Sequence, residues 1–160
     1  MFKYMLQLII GFFTLAISTF IAWYEGSAII EKSWEWKYST PFTELFNIEI
    51  TNGREISQLD YFVYAAKFQP FFPAIMIVSV LYILGVVSYY LIKHHFKWVI
   101  CLLGLTGCIC ILLSGLIINS PTIGGRIIFS MTLTSGVLCI IVAVIVWFRD
   151  YKQKIAVNTN

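Results

Sequence analysis

The residues of this 160-residue chain with the means to do chemistry are four cysteines, two histidines and a run of carboxylates crowded into one stretch. Thiols serve as nucleophiles, redox pairs or soft metal ligands when they converge. Cys108 and Cys110 stand two positions apart, so on a helix they point about 200° from each other and cannot clamp one metal. With Cys101 and Cys139 they read instead as small apolar packing residues. None lies where a disulfide would form in an oxidising compartment, which removes the four-helix oxidoreductases that pass electrons from surface thiols to quinones. His94 and His95 in "KHHFK" are adjacent and therefore diverge, with no cysteine or carboxylate close in sequence to complete a ligand set. That loop reads as a basic anchor for anionic headgroups. Glu25, Glu31 and Glu35 share a surface only loosely, as a solvated acidic face does. With no nucleophile beside a base, no phosphate loop and no paired carboxylates in one frame, no enzyme, cofactor or metal site is expected.

The elements that would have to position such groups belong to a membrane. The chain is 59% hydrophobic and 12% charged, with a mean hydropathy of +0.84, whereas about a quarter of an ordinary soluble domain is charged. Its apolar residues fall into four charge-free blocks, 5–23, 74–92, 98–118 and 127–148. Each approaches the ~20 residues a helix needs to cross roughly 30 Å of hydrocarbon, and backbone groups in lipid must bond within their own segment. The expectation is an all-α membrane protein: one domain, 1–160, with four transmembrane helices in an antiparallel bundle. An outer segment, 24–73, separates the first two helices, and a tail, 149–160, follows the last.

Charge sets the orientation. Lys3, Lys93, Lys97, Arg149, Lys152 and Lys154 lie in short connections on one side with a single acid, Asp150. The long connection on the other side carries Glu25, Glu31, Glu35, Glu44, Glu49, Glu55 and Asp60. Basic short loops face the cytoplasm, so both termini are expected inside and the protein in a cell membrane. The first apolar run continues to Trp23 with Tyr24 as an interfacial belt, so it is expected to remain as a span rather than be cleaved as a signal peptide.

No Asp, Glu, Lys, Arg or His falls inside a span. Because intramembrane ionisable groups mark proton relays and coupled transport, an ion-coupled transporter is disfavoured. Small residues instead form stripes at helical spacing: Gly11, Thr14, Ser18 and Ala22 in the first span and Thr132, Gly136, Cys139 and Ala143 in the fourth. The third carries Gly104, Cys108 and Gly115 on one line and Gly107, Cys110 and Ser114 on its neighbour. Helices in lipid associate where small residues let backbones approach, so these stripes are expected to be seams.

The outer segment carries the functional question. "SWEWKYSTPF", 33–42, places Trp34, Trp36, Tyr38 and Phe42 beside Glu35, and with Glu25 these form the candidate interaction surface. Amphipathic composition over 27–38 suits the membrane interface. Ile48 and Ile50 followed by Asn52-Gly53 read as a tight hairpin. Ser57 and Asp60 stand in capping-box spacing ahead of a short surface helix that leads through Pro70 and Pro73 into the second span. The aromatics either cap the bundle or form a recognition surface.

Three stretches, "AWYEGS" (22–27), "SWEWKYSTPF" and "SQLDYFVYAAKFQPF" (57–71), resemble the outer-loop signatures of a YjdJ-like family of small uncharacterised membrane proteins from Gram-positive bacteria. The resemblance covers roughly the first half of the chain. It implies a bacterial cell membrane and supplies no catalytic or binding residue. Two functions then compete. One is a non-enzymatic membrane protein whose outer segment docks a membrane-protein or envelope partner or senses an envelope condition. The other is an uncoupled permease or transporter subunit, a homo-oligomer in which Thr106, Ser114, Thr132 and Ser135 would line a shared wet cavity. The bilayer is a partner in either case, and nucleic acid in neither.

Overall fold

A computed structural model of the chain describes residues 2–92, 96–118 and 120–158, the side chains of 116 and 150–158 excepted. The histidine pair and Lys93 of the "KHHFK" loop lie outside the described residues, as does the end of the tail. Every regular element among the described residues is helical. Four helices have the length and hydropathy to cross a membrane: α1 (Phe2–Gly26), α5 (Phe71–Leu91), α6 (Phe96–Ile117) and the start of α7 (Ile123–Asn158). Between α1 and α5 lie α2 (Trp36–Ser39), α3 (Pro41–Leu45) and α4 (Gln58–Phe68), with 3-10 turns at Ser27–Glu31, Ser33–Glu35 and Gly53–Glu55. At 1.5 Å per residue α7 is about 54 Å long, so the helix does not stop at the end of the apolar run but carries on through most of the charged tail.

Packing divides the long helices into two antiparallel pairs. In the first, α1 lays Gly11, Ser18, Ala22 and Gly26 along its contact face, a stripe spaced seven, four and four residues apart. A Cβ on Gly11 would fall 2.8 Å from Ile83, and the ring of Tyr4 stacks 5.9 Å from that of Tyr89, so α1 and α5 run past each other in opposite directions. Thr14 stands off this stripe, exposed, its hydroxyl returned to the Ile10 carbonyl.

The second pair, α6 and α7, makes the most extensive contact in the molecule. On α7 the buried line is Ile128, Thr132, Gly136, Cys139, Ala143 and Val146. On α6 the seam is Gly107, Cys110 and Ser114: a Cβ on Gly136 would fall 3.0 Å from the Gly107 carbonyl and 3.1 Å from Cys110. The other expected line does not pack. Gly104 and Gly115 have nothing within 4 Å of a built Cβ, and Cys108 is exposed. One face of α6 meets α7, and the two lines are too far apart around the helix to share it. Val99 and Leu103 close the far end of the seam against Ala143 and Val146. Between the two pairs, α5 touches both α6 and α7, but more sparsely than it touches α1.

Candidate functional site

The outer segment folds as a small helical platform set on the ends of α1 and α7. Its core is Ile29, Ile56, Tyr61 and Tyr64, with Trp23, Trp36 and Ile50 packed around it. Two glycines seat it. A Cβ on Gly26 would lie 2.0 Å from the Tyr61 carbonyl oxygen, so α4 crosses α1 backbone to backbone. A Cβ on Gly124 would lie 2.4 Å from the Lys67 carbonyl oxygen, so the other end of α4 rests on the first turn of α7.

Asp60 holds the platform together from within. Fully buried, its carboxylate accepts from the amides of Phe42 and Thr43 at 2.9 Å each and from the Thr43 hydroxyl at 2.5 Å. These are the free donors at the start of α3, the place where a negative charge is most stabilising. The spacing of Ser57 and Asp60 predicts a reciprocal capping box, and only half of it forms. Ser57 does cap α4, accepting from Leu59 at 3.4 Å, but Asp60 turns away to α3 and the Ser57 amide donates to Thr43 Oγ1 at 2.9 Å. A reciprocal box forms elsewhere, between Asn52 and Glu55.

That second box replaces the expected hairpin. Glu55 accepts from the amides of Thr51 at 2.6 Å and Asn52 at 3.1 Å, which removes donors a strand ladder would use. Asn52 has φ −134° and ψ 148°, extended rather than the left-handed conformation a type I′ turn requires. Gly53 is needed for another reason: a Cβ there would fall 2.7 Å from the Ile30 carbonyl oxygen. The same bonds hold the Glu55 carboxyl below its ordinary value of 4.5.

The aromatics of "SWEWKYSTPF" divide by direction. Trp36 turns inward, its indole donating to the Ile29 carbonyl at 2.9 Å, and Phe42 is half-buried at the start of α3. Trp34 and Tyr38 turn outward, 68% and 70% exposed. Leu45, Phe46 and Leu59 add exposed apolar surface on the same segment. Glu35 is half-buried and accepts from Ser39 at 3.4 Å. Lys67 reaches in from α4 to donate to the Tyr38 carbonyl and to the Ser39 hydroxyl at 3.3 Å. Burial pushes its ammonium below the ordinary 10.5, and the charges of Glu35 and Asp60 offset part of the shift. Lys32 lies 5.7 Å from the centre of the Tyr64 ring and is held above 10.5, chiefly by Tyr64. Glu25 stands apart from this group. The orientation of the Gln69 amide that satisfies its hydrogen bonds places its nitrogen 3.0 and 3.2 Å from the two Glu25 oxygens, tying the end of α1 to the α4–α5 junction.

No three His, Cys, Asp or Glu residues gather to hold a metal ion among the described residues. Residues 5–92, from the first span through the platform to the end of α5, match the model of a family described as a domain of unknown function (DUF4306). The chain belongs to this family. The uncharacterized protein YjdJ of Bacillus subtilis (strain 168) is 36% identical over 78 residues, which is 46% of this chain and 72% of that protein. No solved structure matches. The family's extent coincides with α1, the platform and α5, and leaves α6 and α7 outside it.

Spacing alone misses Asp60, Thr43 and Lys67. Their partners lie 14 to 29 positions away, and a neighbouring-residue pattern carries no trace of such contacts. The one available signal is that an acid and a lysine sit on the face of an amphipathic helix that also carries Tyr64.

Proposed function

We propose that the protein is a non-enzymatic multi-pass membrane protein that holds its platform on the extracytoplasmic side and uses it to dock a membrane-protein or envelope partner. The observation that carries this reading is the division of one short stretch. Trp36 is fixed by its bond to Ile29, while Trp34 and Tyr38 on either side project 68% and 70% exposed. Rings held by a rigid support lose little freedom when they are covered, and Trp and Tyr are the residues that most often dominate a protein interface. Glu31 and Glu44, also exposed, give the surface an acidic rim.

The permease reading lacks a comparable support. It needs hydroxyls turned to a wet path, yet Thr106, Ser114 and Thr132 donate to carbonyls of their own helices at 2.7 to 2.9 Å, and Ser135 lines a recess whose walls are mostly apolar.

The test is photocrosslinking in intact cells from a reactive residue placed at 34 or 38. Docking predicts a discrete protein or envelope adduct that Trp34→Ala weakens when the probe sits at 38. Capture of lipid alone, or of nothing, overturns it.

A further inference from the structure

Away from the platform, at the opposite end of α5, two recesses flank the same turn of helix. One, of about 420 Å³, lies between α5 and the α6–α7 pair and is walled by Leu81, Leu84, Leu103, Leu138 and Val142. Into this apolar setting falls Ser88, 7% exposed, whose hydroxyl has no hydrogen-bond partner among the described residues. A buried donor left unpaired is costly, and a serine in a helix commonly returns its proton to the preceding turn, as Ser18 does to Leu15. The other recess, of about 610 Å³, lies between α5 and α1, and Lys3, Tyr4, Gln7 and Tyr82 bring polar groups to a lining that is otherwise mostly apolar. Gly85 and Tyr89 line both. A Cβ on Gly85 would meet nothing within 4 Å, so the helix is notched at a position the two recesses share.

Together the two recesses offer three chemistries: a cation with phenol and amide groups, the unpartnered hydroxyl of Ser88 in a recess that Ser135 also lines, and an apolar trough. Ser88 lies three residues from the end of α5, about 5 Å along the axis. No Asp or Glu lines either recess. A molecule with a phosphate, an ester carbonyl below it and an acyl chain below that meets each group in turn. We propose that the notch of α5 is a binding site for one anionic glycerophospholipid. Its phosphate faces Lys3, its ester carbonyl accepts from Ser88, and its chain lies between α5 and the α6–α7 pair. The bilayer leaflet on the side of the amino terminus supplies it.

The test uses the full chain, delipidated in detergent and given phosphatidylglycerol or phosphatidylcholine. Bound lipid is counted by native mass spectrometry and folding is followed by circular dichroism. The wild type keeps one phosphatidylglycerol more firmly than phosphatidylcholine. Gly85→Leu, which fills the notch where nothing stands in the way, loses the lipid at unchanged helicity. Ser88→Ala weakens retention of both lipids about fivefold, the worth of one hydrogen bond. Lys3→Gln erases the preference for phosphatidylglycerol. The site is refuted if Gly85→Leu folds and binds as the wild type does, or if the notch is found filled by a second copy of the chain, seen as a dimer that Gly85→Leu breaks. Should Gly85→Leu fail to fold, Ser88→Ala decides: unchanged retention refutes the site.

Discussion

At position 60 a carboxylate sits fully buried with three donors around it, and its worth lies in what those donors would otherwise lack. Asp60→Asn keeps the shape but offers an NH₂ group to donors that need an acceptor. It is expected to destabilise the platform by about 2–3 kcal/mol, read as faster hydrogen exchange over 41–46 and an earlier midpoint in chemical denaturation. The Glu55 box behaves differently because it is exposed. Its folded pKa is lowered, so its stabilising contribution is present above the ordinary 4.5 and is lost as pH falls below that through the folded value. Amide exchange at Thr51 and Asn52 should therefore rise on acidification below about pH 4.5, and Glu55→Gln should remove this pH dependence. At this scale the sequence is only half legible. Ser57 as a helix cap is visible from local spacing, because capping is a local bond. Asp60's true partner is not, since the chain returns to it through the fold. The Asn52-Gly53 pair misleads for a related reason: asparagine suits both a hairpin turn and a helix cap, and Glu55 decides between them.

Small-residue stripes organise the long helices, and they differ in what they meet. Gly136 faces the Gly107 carbonyl at the centre of the α6–α7 seam, whereas Gly104 faces open space on the same helix as Gly107. Gly136→Leu is expected to cost more than the ~1–3 kcal/mol of ordinary overpacking, because backbone rather than a movable side chain blocks it. Gly104→Leu should be neutral or mildly stabilising through its better helix propensity. Thermal unfolding of both variants in detergent separates the two outcomes. That α6 carries two such lines is plain from its residues. Which line packs is not, because lipid-facing and helix-facing positions are both apolar here and hydropathy does not tell them apart.

Seen whole, the molecule is two helix pairs that touch little along their length and are bridged at one end by the platform. The four apolar blocks, and so the number of helices long and apolar enough to cross a membrane, can be read from composition because hydrocarbon thickness fixes the length of a span. The pairing of α1 with α5 across the whole outer segment cannot, since nothing in hydropathy ranks one apolar neighbour above another. Substituting either seating glycine tests the bridge. Gly26→Ala and Gly124→Ala each push a Cβ into a carbonyl oxygen of α4 and should lower the melting temperature by several degrees, well beyond the effect of Gly115→Ala.

The seating of α4 also sets a measure for the protein. Tyr61 rests on α1 and Lys67 on α7, six residues and about 9 Å apart along the axis of α4. The helix is in effect a spacer cut to fit two uprights. Deleting one residue within it shortens the gap by only ~1.5 Å but swings one footing by about 100° around the axis, so both uprights cannot be met together. Change of phase rather than change of length is therefore what this part of the chain tolerates least.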